Sequence, residues 1–308
     1  MKVTRTLPFR PLCHLLPTRL AGLSIALLKA TALELAILAG HLLLYPSGIL
    51  PERRQPRALP RHPSPCTPMD RETVTVEESP PTAADAPRLP TPAKPPVLLL
   101  HGFIDNRSVF VLLRRSLTQH GRRHIESLNY SPLTCDIRAA AALLARHVEE
   151  VCERSGRDRV DIVGHSLGGL IARYYVQCLG GDTRVRTLVT LGTPHGGTRV
   201  APLADAHPIV RQMRPGSSLV EELKRPAPGC RTRFVSFWSD FDQLMLPLET
   251  ACVDHADLLA QNVRVTGIGH LALPVHPAVA TGIRQALDAE PAEGARAADK
   301  TGGGLTVA

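Results

Sequence analysis

Ser166 stands in Gly164-His165-Ser166-Leu167-Gly168, a G-x-S-x-G spacing. Before it runs "RVDIVG", an apolar stretch of strand type, and after it "GGLIARYYVQCLGG", a stretch of helix type. In that context the serine occupies a sharp, strained strand-to-helix turn that lifts its Oγ above the sheet edge. Glycines two before and two after let strand and helix approach without Cβ clashes. A serine hydroxyl is a poor nucleophile at neutral pH and needs a histidine base oriented by a carboxylate. Without those partners the same turn is only a glycine-rich corner.

For a serine on such a turn the chain order is serine, then acid, then histidine. Of 13 histidines, His270 in "VTGIGHLALPVHP" follows the last predicted strand, behind two glycines that suit a tight loop. His276, one position before Pro277, and His255, in a polar segment, read as surface residues. The acid belongs to the loop after "TRFVSFW", which holds both Asp240 and Asp242, and spacing alone does not choose between them. Asp254 and Asp257 fall in a polar, solvated segment. Two backbone N–H groups are candidates to bind an oxyanion. One is that of Leu167, at a helix N-terminus; the other is that of Phe103, in the turn that Gly102 permits after "PVLLLHG". His101 adjoins that turn and is expected to hold it by hydrogen bonding. His195 has no partner ligands at useful spacing, so neither a metal nor a cofactor is expected.

The elements that must position these residues alternate. Apolar runs near residues 97, 125, 160, 185, 233 and 262 are separated by helix-like segments at 108–120, 137–154, 167–180 and 278–287. Asp136 is a fitting N-cap for the alanine-rich helix 137–154. This order implies a mostly parallel sheet with helices on both faces. Residues 198–228 contain no clean strand. "PLADAHPIVRQM" and "GSSLVEELKR" read as two short amphipathic helices forming a cap over Ser166. Their apolar residues (Val200, Leu203, Ile209, Val210, Met213, Leu219, Leu223) are expected to meet an apolar substrate chain, or else to pack as a fixed excursion.

The catalytic region is thus assigned to 97–290. Residues 51–96 hold 13 of the 28 prolines and few large apolar residues, which makes them a linker, with Glu72 to Val76 as a possible short strand. Residues 291–308 read as a disordered tail. The net charge of +8 is densest in residues 1–50, at +4, with +1 over 51–96 and +3 over the rest. No basic run with interleaved aromatics occurs, so nucleic acid is not an expected partner, and a membrane surface suits the charge better. Seven cysteines include no C-x-x-C pair. Cys230 and Cys252 either pair, if the domain is exported, or remain free thiols.

Residues 20–44 are the most apolar stretch, and Ser24 to Leu44 supplies 21 residues, enough to span a bilayer. Ten Leu and Ile residues favour insertion by about 5 kcal/mol, while Glu34 near the centre costs about 3 kcal/mol and Lys29 adds to that. Ser24, Thr31, Glu34 and His41, spaced 7, 3 and 7 apart, form one polar stripe. The expectation is a membrane helix, favoured over a cleaved signal, whose stripe turns to a partner protein or to a second copy. The alternative is a helix docked on the soluble domain.

Taken together, "HGF", "GHSLGG", "LGTPHGG", "SDFDQLMLP" and "GIGH" resemble the bacterial triacylglycerol lipases and related esterases of the α/β-hydrolase superfamily. The resemblance covers Val97 to about Ile283. It implies an α/β-hydrolase fold, with Ser166, Asp242 and His270 as catalytic triad, Phe103 and Leu167 as oxyanion donors, and Gly164 and Gly168 shaping the nucleophile turn. Asp242 is chosen over Asp240 because Ser239, Asp242 and Pro247 approximate an S-x-x-D-x-x-V-x-P pattern. It also implies that "GTPHGG" lines the acyl pocket and that the substrate is a lipid or small ester; the N-terminal segment adds the expectation of a membrane-anchored or exported enzyme of the bacterial cell envelope. Thioester or amide hydrolysis, and a non-catalytic scaffold, are the alternatives.

Overall fold

The computed structural model describes residues 18–49, 94–103, 105–130, 136–199, 207–289 and 306–307. The Pro-rich linker, its possible strand at 72–76 and most of the tail lie outside the described residues. In chain order the elements are α1 (Thr18–Ile49), β1 (Val97–Leu100), α2 (Val111–Gln119), β2 (Ile125–Leu128), α3 (Ile137–Ser155), β3 (Val160–His165) and α4 (Leu167–Cys178). Then come β4 (Val185–Leu191), α5 (Pro208–Gln212), α6 (Ser218–Glu222), β5 (Arg233–Ser239), β6 (Leu259–Val265), α7 (Pro277–Asp288) and β7 (Thr306–Val307).

The strands form one parallel sheet in the order β2-β1-β3-β4-β5-β6-β7. Two tail residues therefore join the sheet as β7, beside β6. Because side chains alternate across a strand, each strand feeds two cores. Leu98, Leu100, Ile162, Leu188 and Phe234 face the side covered by α3 and α4. Val97, Leu99, Val163, Val189, Val235 and Val263 face the side covered by α2 and α7. Burial on both faces explains why the strands read as continuous apolar runs rather than as alternating ones. Asp136 caps α3 as expected, its Oδ1 accepting from Ala139 N at 2.7 Å, and Gly156 closes the helix in the left-handed conformation.

The cap corrects part of the expectation. Ile209, Leu219 and Leu223 do not wait for a substrate; they are fully buried in the core beside α3 and α4. Polar clamps hold the excursion down: Glu222 accepts from Arg138 at 2.6 Å and from Tyr174 at 2.8 Å, and buried Arg173 donates to Leu223 O at 3.0 Å. Burial pushes the Arg173 guanidinium down to about 10. Val200 and Leu203 lie outside the described residues. Cys230 and Cys252 are free thiols.

A second correction concerns α1. Its polar stripe turns to the chain's own sheet domain rather than to a partner or a second copy. Gln243 Nε2 reaches Thr31 Oγ1 at 3.3 Å, and Asn129 Nδ2 reaches Gly48 O at 2.7 Å. Loop N–H groups and polar side chains above the sheet supply partners that lipid cannot. The other side of α1 exposes Leu28, Leu33, Leu35, Leu42, Leu43 and Leu44. By length and composition Leu28–Gly48 is able to cross a membrane.

At the opposite end of the sheet, Asp161 is fully buried between two arginines. It accepts from Arg122 Nη1 at 2.9 Å, and from Arg186 Nε at 2.9 Å and Nη2 at 2.7 Å. Both guanidinium groups also donate to Leu287 O at 2.6 Å, tying α7 to the sheet. Removing the carboxylate takes away the buried counter-charge of Arg122 and leaves it only the part-exposed Asp288, 2.9 Å from its Nη2. Asp161→Ala is expected to lower the unfolding free energy by about 3–5 kcal/mol, read by urea denaturation. A loss under about 1 kcal/mol would mean that the cluster behaves like a solvated surface pair.

Candidate functional site

Ser166 follows β3 and precedes α4, with φ 51° and ψ −118°; among the described residues no other non-glycine has positive φ. The glycines around it are needed for proximity. A Cβ on Gly168 would lie 2.3 Å from Leu100 O, and one on Gly164 would lie 2.6 Å from Gly169 N. The turn is held by Ser166 N donating to Leu191 O at 2.9 Å and by Thr193 Oγ1 donating to Ser166 O at 3.0 Å. Leu167 is the first residue of α4, so its N–H belongs to the helix end that favours negative charge.

His270 lies in the loop after β6 and Asp242 in the loop after β5. Asp242 Oδ2 accepts from His270 Nδ1 at 2.7 Å, and its Oδ1 accepts from Leu244 N at 2.9 Å. The two loops are tied together by Ser239 Oγ, which donates to Ile268 O. Asp240 is engaged elsewhere, with Arg264 Nη2 at 3.0 Å and Gly267 N at 3.0 Å. Among the other histidines, His276 Nδ1 accepts from Ala278 N as the cap of α7, and half-buried His255 bonds to Arg225 O. Ser166, His270, Gly102 and Phe103 line one cavity of about 270 Å³. The structure thus gathers Ser166, Asp242, His270, Phe103 and Leu167 at the C-terminal edge of the sheet.

The cavity walls are largely apolar, with Phe103, Val210, Met213, Leu244, Met245 and Leu271 among them. Pro194 of the "GTPHGG" stretch also faces it. His195 turns inward: its Nε2 contacts Thr190 Oγ1 at 3.0 Å, and burial, then Arg173, hold its pKa well below the usual histidine value. His101 stacks on Tyr130 at 4.3 Å, and Tyr130 OH donates to His101 O, which fixes the loop after β1.

Two residues escaped the sequence reading. Asp105 is buried, with Oδ2 3.3 Å from His165 Nδ1 and Oδ1 3.3 Å from His41 Nδ1. Burial raises its pKa, but those two rings outweigh burial and hold the carboxyl well below the usual carboxylate range. His165 Nε2 donates to His270 O at 3.2 Å. The sequence did signal a buried role for His165, since it sits inside a fully buried strand; Asp105, in a loop, carried no such mark.

His270 is buried, which by itself lowers its pKa; the Asp242 charge and hydrogen bond, then Asp105 and Glu34, reverse this and raise it. A raised folded-state pKa contributes stability below the unfolded value and loses it as pH climbs through the folded value. The His270 ring is expected to titrate above the ordinary histidine range by NMR, and in Asp242→Asn to fall below its wild-type value. An unchanged titration in that variant would contradict the pairing.

A family model described as palmitoyl protein thioesterase matches residues 96–246. A triacylglycerol lipase of Pseudarthrobacter phenanthrenivorans is 27% identical over 113 residues, 34% of this chain and 35% of that protein. The matched segment therefore spans about a third of that relative's length. Among solved structures, the mature lipase BlEst2 of Bacillus licheniformis aligns with TM-score 0.54 and 18% identity, over 66% of this chain and 96% of the other. Aspergillus fumigatus lipase B aligns with TM-score 0.57 and 15% identity, over 64% and 53%.

Proposed function

We propose that this chain, which has the α/β-hydrolase fold, is a serine hydrolase cleaving a lipid ester through an acyl-enzyme. The observation that supports this best is the 2.7 Å pairing of Asp242 with His270 on the cavity that Ser166 lines. In this reading His270 takes the Ser166 proton as Oγ attacks the ester carbonyl. Asp242 holds the imidazole and stabilises its cation. The N–H groups of Phe103 and Leu167 bind the oxyanion. His270 then protonates the leaving alcohol, and water releases the acid by the same steps. The apolar wall of the cavity takes the acyl chain. A thioester is the second reading, favoured by the palmitoyl thioesterase family match. It needs the same acyl-enzyme and differs only in its leaving group.

Ser166→Ala is expected to abolish turnover of p-nitrophenyl esters and labelling by a fluorophosphonate, with the fold retained. Asp242→Asn should lose roughly 10⁴-fold in kcat, and Asp240→Asn should stay within about threefold. Full activity in Ser166→Ala overturns the assignment. A matched panel of acyl esters and acyl thioesters separates the two readings.

We also propose that α1 binds the membrane in its plane. Its contacts with the domain run from Thr31 to Gly48, about 25 Å of helix, so that face is closed to lipid along the length of a span. The leucines on the other side are free to enter the interface. The Leu42→Glu, Leu43→Glu double variant is expected to lose flotation with anionic phospholipid vesicles. Each leucine contributes about 1.5–3 kcal/mol, more than tenfold in partitioning. Unchanged flotation of that variant would rule this face out.

A further inference from the structure

Glu34 of α1 makes both of its contacts beside His270. Its Oε2 accepts from Leu271 N at 2.8 Å and its Oε1 from Ala272 N at 3.0 Å, the two backbone donors that directly follow His270. The site is shaped to admit it. A Cβ on Gly269 would lie 2.4 Å from Glu34 Cδ and from its Oε1, so the residue on the other side of His270 has to be glycine for the carboxylate to enter. Seven residues further along α1, His41 meets Asp105, which meets His165, whose Nε2 donates to His270 O. One helix therefore grips the His270 loop at both ends of a closed polar chain.

We propose that Glu34 is a positioning residue for the hydrolytic reaction: it fixes the loop that presents His270 to Ser166 and Asp242. This rests on the reading of Ser166 and His270 as nucleophile and base. The bonds are charge-assisted, hence short and directional, and a chelating carboxylate restrains two consecutive peptide groups at once. A base displaced by even 1 Å loses rate steeply. It follows that α1 belongs to the working hydrolase, and that a form cleaved after this helix would have lost the support.

The groups facing His270 are Asp242, Asp105 and Glu34, with the His165 ring 4.9 Å away and Arg199 and Arg214 lining the same cavity. Of these, Glu34 adds a negative charge that raises the His270 pKa, so neutralising it lowers that pKa. The test uses the full chain in detergent, comparing wild type with Glu34→Ala and Glu34→Gln. Glu34→Ala is expected to lower kcat about 10- to 100-fold, with KM within about threefold. The acid limb of the pH–rate profile should move to lower pH in both variants, and Glu34→Gln, which keeps one acceptor, should lose less kcat. The His270 NMR titration should move the same way, independently of turnover. Wild-type kcat and an unmoved acid limb in Glu34→Ala overturn the proposal. So does a fall in kcat accompanied only by a lower melting temperature, which marks a purely structural helix. If wild type neither turns over esters and thioesters nor labels at Ser166, the reading beneath the proposal fails and the proposal falls with it.

Discussion

The first turn of α4 lies against the carbonyl edge of β1, so close that position 168 has no room for a side chain. Much else follows from this contact. To turn from β3 into a helix pressed on β1, Ser166 must take a positive φ, which costs about 1–3 kcal/mol for a residue with a Cβ. The strain persists because Leu191 O, Thr193 and the following helix over-determine the turn. The same approach brings the loop after β1 beside the end of β3, where Asp105 can reach His165. The loop after β1, the serine and the histidine loop are therefore set by one packing constraint rather than by three separate loops.

Asp105 has a consequence of its own. A buried carboxylate without partners would take up a proton, but two imidazole nitrogens at 3.3 Å keep the charged form favourable. That charge adds to the effect of Asp242 in favouring the protonated His270 ring. In the proposed acyl transfer the imidazolium is the species that must be stabilised, and the added negative charge would help at the step where it is formed. Under that proposal the cost is an acid limb that lies higher than that of a free histidine.

The parallel sheet and the serine turn were legible because they rest on local rules. Buried strands are apolar throughout, the spacing of Gly164 and Gly168 encodes a close approach, and Asp136 marks a helix start. Asp242 needed the resemblance, because Asp240 and Asp242 share a loop and only the fold decides which faces His270 and which faces Arg264. Asp105 and His165 were not legible as a pair. Their contact depends on how two loops from neighbouring strands converge, and one sequence does not show that. The cap was half legible: its helices were evident from their periodicity, but whether Leu219 and Leu223 meet substrate or core is set by the Arg138, Tyr174 and Arg173 clamps on other helices.

The N-terminal helix shows the same division with a larger consequence. The stripe of Thr31, Glu34 and His41 was readable from spacing, but its partners lie more than 200 residues away for Thr31 and Glu34, and only the fold brings them near. Taken by hydropathy alone, Glu34 makes α1 a poor spanning segment. Placed against the His270 loop, the same carboxylate has two donors and its cost disappears. The marginal hydropathy is thus what a helix with one docked and one exposed face requires: polar atoms in a row where it meets the sheet domain, leucines elsewhere. Such a helix cannot exchange one environment for the other by rotating, because either face would then be wrongly solvated. Its orientation about its own axis is fixed by the contacts of Thr31, Glu34 and His41 with the sheet domain.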